Sequence, residues 1–199
     1  IAAIRQKHPN AYIWWLTYSP DIVPSSVDKV LPFTLESIIS LQGMHFNQVI
    51  NLDKDHHACA LASSLKADEL LGYCLSENKP YPANERAMHK YLTGIFDDVN
   101  KANTKNYLEE IFEICGYTFA GEEYELEIKE RHAWDIGSRG KGVIGLNTGC
   151  GARWVSRLWK DEYWIELIKM LKNEGYSPVL LGGEQEDEKN KMFAEQTGA

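Results

Sequence analysis

The sequence predicts an α/β fold with parallel, helix-covered sheets, and three observations carry the prediction. Short apolar runs recur along the chain at 11–17, 48–52, 69–73, 143–147 and 179–181. Stretches with apolar residues at helical spacing stand between them, the sequence sign of strands joined by helical crossovers. The 199 residues suffice for one ordinary domain or two small ones.

In chain order, Ile1 to His8 reads as the last turns of a helix closed by Pro9-Asn10. Ala11-Tyr-Ile-Trp-Trp-Leu-Thr17 is an aromatic-rich strand, and Val27 to Phe33 a weaker one interrupted by Pro32. Leu35, Ile38, Ile39 and Leu41 lie near helical spacing. Gln48 to Leu52 is a strand, Ala58 to Leu65 a helix and Glu69 to Tyr73 a strand. Cys74 to Asn84, with Pro80 and Pro82, reads as loop. Glu85 to Val99 and Thr104 to Cys115 read as helices, the second with Leu108, Ile111, Phe112 and Cys115 on one face and Gly116 at its end. Acidic, alternating Glu122 to Glu130 reads as an exposed strand. Arg131 to Gly142, polar with three glycines, reads as a linker between a first domain, 1–130, and a second, 143–199. In the second, strand Val143 to Asn147 precedes a helix from Asp161 to Asn173 with a buried stripe of Trp164, Leu167, Ile168 and Leu171. Strand Val179 to Leu181 then meets Gly182-Gly183, and a helix from Glu184 ends near Gly198.

Composition narrows the function. A hydrophobic share of 44% and a charged share of 25% are ordinary for a globular protein. A net charge of −8 argues against nucleic acid as the main partner and against broad adhesion to an anionic membrane, since both need a basic footprint. No apolar run approaches spanning length, which leaves at most a peripheral membrane contact. Cys59, Cys74, Cys115 and Cys150 are scattered without a Cys-x-x-Cys pair, a pattern that fits reduced thiols in a cytoplasmic protein.

The most informative segment is Val143-Ile-Gly-Leu-Asn-Thr-Gly-Cys-Gly-Ala-Arg-Trp-Val-Ser-Arg-Leu-Trp159. A buried-type strand breaks into a glycine-spaced turn, and ligands of α/β proteins bind at such carboxyl-end loops. Gly149 and Gly151 let the backbone approach a ligand, Thr148 offers a hydroxyl, and Arg153 and Arg157 supply positive charge for phosphate. A structural loop with surface arginines is the plain alternative. A dinucleotide fingerprint does not fit, because Trp154 stands at the third glycine position and the helix opens about ten residues late. Cys150 has no histidine near it in sequence and reads as loop packing. Asp53-Lys54-Asp55 followed by His56-His57 has the form of a divalent-ion site, but equally of acids capping a helix start, the reading favoured here. Glu186, in the turn after the last strand, falls on the same sheet edge as the glycine loop; it suits either a first-turn acid or an acceptor for sugar hydroxyls.

Ile144-Gly-Leu-Asn-Thr-Gly-Cys-Gly-Ala-Arg-Trp154, then Arg157-Leu-Trp159, Tyr163-Trp164 and Leu180-Leu-Gly-Gly183, resemble the second-domain opening of glycosyltransferase family 9, the ADP-heptose:lipopolysaccharide heptosyltransferases. The resemblance is close over 143–199; earlier, Ala3-Ile-Arg, Asn51-Leu-Asp53 and Leu71-Gly-Tyr73 follow the family's order more loosely. It implies the GT-B architecture of two Rossmann-like domains with parallel sheets, the acceptor on the first and the nucleotide sugar on the second. It implies inverting, metal-independent transfer of heptose from an ADP-sugar to a lipopolysaccharide core acceptor, with no cofactor besides the donor. The partners would be a nucleotide-sugar donor and a lipid-linked glycan, the location cytoplasmic with a peripheral contact at the inner membrane. Donor-binding residues would be Asn147, Thr148, Gly149, Gly151, Arg157 and Glu186, with Arg157 stabilising charge on the leaving diphosphate as the catalytic residue of this segment.

This sequence departs from the family at Arg157, usually lysine, and at Lys160, usually proline. The resemblance also implies a fragment lacking both ends and inactive alone: the first strand with its general-base aspartate would precede Ile1, and a later donor motif would follow Ala199. Two other readings remain open, a metal-dependent transferase using Asp53 and Asp55 and a non-catalytic nucleotide-sugar binding protein.

Overall fold

The computed structural model describes residues 1–127 and 140–199, without the side chains of 152–154. It is an α/β protein of two compact units, Ile1–Lys129 and Glu130–Ala199. The linker expected at 131–142 lies, up to residue 139, outside the described residues.

The first unit runs α1 (Ala2–Lys7), β1 (Trp14–Thr17), β2 (Lys29–Pro32), α2 (Leu35–Gln42), β3 (His45–Asn51), α3 (His56–Ser64), β4 (Lys66–Ser76), β5 (Lys79–Pro82), α4 (Met88–Thr93), α5 (Asp97–Ala102) and α6 (Tyr107–Ile114). β1 pairs parallel with β2, and β3 parallel with β4 from His45↔Lys66 to Asn51↔Gly72. α6 starts on a capping box, in which the Asn106 side chain accepts from Glu109 N–H and the Glu109 carboxylate from Asn106 N–H.

Three expectations need correction. Residues 74–84 are not loop: β4 continues to Ser76 and turns into antiparallel β5 through Glu77 and Asn78, both at positive φ. The turn lacks the Asn-Gly signal of such hairpins, and two prolines disguise a strand that tolerates them only because β5 is an edge. The single helix expected over 85–99 is a 3-10 turn (Glu85–Ala87), α4 and α5, broken where Phe96 takes an extended backbone ahead of α5. Residues 122–127 form no strand, and 128–130 are outside the described residues.

The core of this unit gathers Cys59 on α3, Tyr73 on β4, Ala87 just ahead of α4 and Ile114 on α6, with Leu52, Leu75, Tyr91 and Ile111 against it. Burial on α6 falls on Glu110 and Ile114 rather than on the expected stripe, because Phe112 and Cys115 face a cavity. That cavity, about 1230 Å³, is lined by all four residues of β1 and by consecutive residues 46–51 of β3. Successive side chains of a strand point to opposite faces, so a wall of consecutive residues is a strand edge. These two edges carry no partner strand among the described residues.

The second unit is β6 (Val143–Asn147), a 3-10 turn (Ala152–Arg157), α7 (Asp161–Asn173), β7 (Ser177–Leu181), a second 3-10 turn (Glu184–Glu186) and α8 (Asp187–Thr197). β6 and β7 pair parallel, from Val143↔Ser177 to Asn147↔Leu181. Leu146, Ile168 and Phe193 form its core, joined by the predicted stripe residues Trp164, Leu167 and Leu171. Parallel pairing puts the loops after β6 and β7 at one edge.

Candidate functional site: a cleft between two strand ends

The two loops enclose a cleft of about 450 Å³. Asn147, Gly149 and Gly151 come from the end of β6, and Gly182, Gly183 and Glu186 from the end of β7. The Asn147 side-chain oxygen accepts from Gly149 N–H at 3.3 Å, which folds the chain back after the strand. Glu186 accepts from Gly183 N–H at 2.9 Å, fixing its carboxylate at the opposite wall. At Gly149 there is no space for a side chain, since a Cβ would stand 2.3 Å from Glu186 Oε1. Glycine there permits the close approach of the Glu186 carboxylate, which a side chain would displace.

Thr148 is placed differently from the sequence expectation. It is 1% exposed, and its hydroxyl donates to Asn190 Oδ1 at 2.6 Å. The Thr148 carbonyl accepts from Lys189 Nζ at 2.7 Å, and its N–H donates to the Leu181 carbonyl at 3.3 Å. The hydroxyl therefore braces the loop instead of facing the cleft. Arg157 ends the 3-10 turn as an exposed residue outside the cleft lining. Arg153, the other arginine of the loop, lies in the same turn, where its side chain is outside the described residues. Cys150 lines the cleft. Lys189 and Asn190 were not legible in the sequence, where they are two polar residues in a polar helix.

The cleft is suited to binding. Glu186 is its only carboxylate among the described residues, and four glycines, Gly149, Gly151, Gly182 and Gly183, contribute to its lining. A carboxylate repels phosphate but accepts hydrogen bonds from hydroxyls, while main-chain N–H groups donate to phosphate. The cleft thus offers both kinds of group, with the Glu186 carboxylate lying directly against Gly149.

In the first unit, Asp53 and Asp55 lie in the turn after β3. Asn51 Oδ1 accepts from Asp53 N–H at 3.1 Å, and Asp53 Oδ1 from Asp55 N–H at 3.0 Å. Asp55 is the N-cap residue of α3, but its side chain makes no capping bond. Asp53 only closes a turn ahead of the helix by accepting from Asp55 N–H, so the capping expected of this pair is not made. Among the described residues, no group of three or more His, Cys, Asp or Glu is placed to hold a metal ion. His57 meets the rings of Tyr18 and Phe33 edge-on, at 6.0 and 5.6 Å between centroids. Burial lowers the pKa of Lys54, helped by the nearby Lys90 ammonium. No helix among the described residues is long and apolar enough to cross a membrane.

Comparison with curated proteins and with solved structures finds no match. The sequence model of Glycosyltransferase family 9 (heptosyltransferase) matches residues 37–197, which include both walls of the cleft and the β3–β4 sheet. With a match over most of its length, the chain belongs to glycosyltransferase family 9.

Proposed function

We propose that the chain carries the donor-binding half of a transferase that moves a heptose, or a related sugar, from an ADP-sugar to a lipopolysaccharide core acceptor, with inversion and without a metal. The observation that carries this reading is the cleft itself, where Asn147, Gly149, Gly151 and Glu186 converge from two strand ends. Its volume of about 450 Å³ falls in the range of small-molecule sites. In this reading Glu186 accepts from ribose hydroxyls, and the main chain at 149–151 faces the diphosphate. Arg157 approaches the phosphates from the rim and neutralises charge on the leaving ADP. Thr148 acts through the shape of its loop.

The first unit, read as the acceptor side, belongs to a GT-B pair of Rossmann-like domains. Its two unpaired edges facing one slot support a Rossmann-like sheet with one more strand between β1 and β3. A lipid-linked acceptor brings the protein to the cytoplasmic face of the inner membrane as a peripheral partner.

Calorimetric titration with ADP tests the reading. Saturable binding is expected, with Glu186→Ala weakening ADP and adenosine alike and Arg157→Ala weakening ADP alone. No ADP binding by the wild-type protein, or equal ADP affinity in the Arg157→Ala variant, would overturn it.

A further inference from the structure

We infer that Lys189 and Asn190 are positioning residues that set the phosphate-facing loop, although neither lines the cleft; the inference rests on the donor-binding reading above. Consecutive residues of α8 grip one residue of the β6 loop from two sides. Asn190 Oδ1 accepts from the Thr148 hydroxyl at 2.6 Å, and Lys189 Nζ donates to the Thr148 carbonyl at 2.7 Å. Asn190 also touches the other loop, since a Cβ on Gly182 would stand 2.9 Å from its Nδ2. Asn190 thus lies against both loops but bonds only the one that carries Thr148.

The grip matters because Thr148 leads directly into the glycine-rich part of the loop. Gly149 and Gly151 have the most backbone freedom, so an unbraced 149–151 would sample many orientations of its N–H groups. Thr148 is 1% exposed, and a buried carbonyl and hydroxyl held by charge-assisted and neutral hydrogen bonds resist such motion. A loop ordered before the ligand arrives binds it without the cost of ordering. The ligand group that benefits is the one the loop main chain faces, the diphosphate. Glu186, read as the nucleoside contact, is held instead by its own bond from Gly183 N–H at 2.9 Å.

Asn190→Leu removes the acceptor at similar size, while Asn190→Asp keeps an oxygen for the Thr148 hydroxyl. Calorimetry with ADP and with adenosine, beside thermal unfolding, separates positioning from mere stability. Asn190→Leu is expected to weaken ADP roughly five- to tenfold and adenosine less than twofold, with Asn190→Asp restoring ADP. Lys189→Met, a change at the helix surface, is expected to show the same ADP-selective loss, and Lys189→Arg to reverse it. Folded variants with unchanged ADP affinity overturn the positioning role and leave the donor reading standing. Equal losses for ADP and adenosine, or failure of Asn190→Asp to restore binding, also overturn it. A wild-type protein that binds adenosine but not ADP overturns both.

Discussion

Gly149→Ala isolates a single close approach in the cleft and gives a magnitude that can be worked in advance. The new methyl would stand 2.3 Å from Glu186 Oε1, 2.4 Å from its Cδ and 2.8 Å from its Cγ. All three atoms belong to a side chain with rotatable bonds, so the collision is relieved by swinging Glu186 away. That movement breaks its bond to Gly183 N–H, 2.9 Å long and charge-assisted, at a cost of about 1.5 kcal/mol. Restricting the unfolded chain returns about 0.5 kcal/mol, leaving a net loss near 1 kcal/mol. With Glu186→Ala already in place the obstructing atoms are gone, and Gly149→Ala should be stabilising by about 0.5 kcal/mol. The double-mutant cycle thus predicts a coupling of about 1.5 kcal/mol, read from urea unfolding of four proteins. Equal effects of Gly149→Ala in the two backgrounds would refute the reasoning, because they would mean that Glu186 is not what excludes the side chain.

Three further predictions concern the first unit. Gly72 sits at φ +95° with a Cβ position 1.9 Å from the Asn51 carbonyl oxygen, its partner in the β3–β4 ladder; Gly72→Ala should cost about 3 kcal/mol or more, and an unchanged urea midpoint would contradict it. Glu110, 3% exposed, takes the Lys90 ammonium at 2.6 Å; Glu110→Ala should cost about 3 kcal/mol by leaving that partner without its charge, and a loss below about 1 kcal/mol would show that Lys90 finds water instead. Burial pushes the Cys115 thiol up to about 11, and burial followed by the Glu110 charge pushes the Tyr73 phenol up to about 12. Both groups stay neutral in the fold while the unfolded chain ionises, so their stability is full below the ordinary thiol value of 9.0 and is lost as pH rises through about 11 and then about 12. Cys115→Ala should flatten the first part of that alkaline decline in unfolding experiments; an unaltered slope between pH 9 and 11 would exclude the thiol as its source.

Legibility followed the range of the forces involved. The helix over 161–173 could be read in the sequence because acids in its first turn and an apolar stripe at helical spacing are local signals, and the structure keeps those bounds. The hairpin at Glu77 and Asn78 is hidden in the sequence because Glu77, unlike Asn78, is unfavourable at positive φ and is held there by the Tyr73↔Pro82 to Ser76↔Lys79 pairing. On α6 the apolar stripe indicated a helix but not its buried side. Glu110 is buried because Lys90, distant in sequence, brings the opposite charge.

The candidate site divides the same way. From the sequence alone came the α/β class, the glycine loop after β6, the position of Glu186 on the same edge and the family to which these residues pointed, since spacing, glycine placement and strand–helix alternation are written along the chain. Tertiary structure alone decided that Thr148 turns inward to Asn190, that the Glu186 carboxylate occupies the space beside Gly149, and that Arg157 is not part of the cleft lining. Direction of a side chain in a loop depends on which distant groups complete its hydrogen bonds. Lys189 and Asn190 lie some forty residues beyond Thr148, and only the packing of α8 against β7 brings them to it.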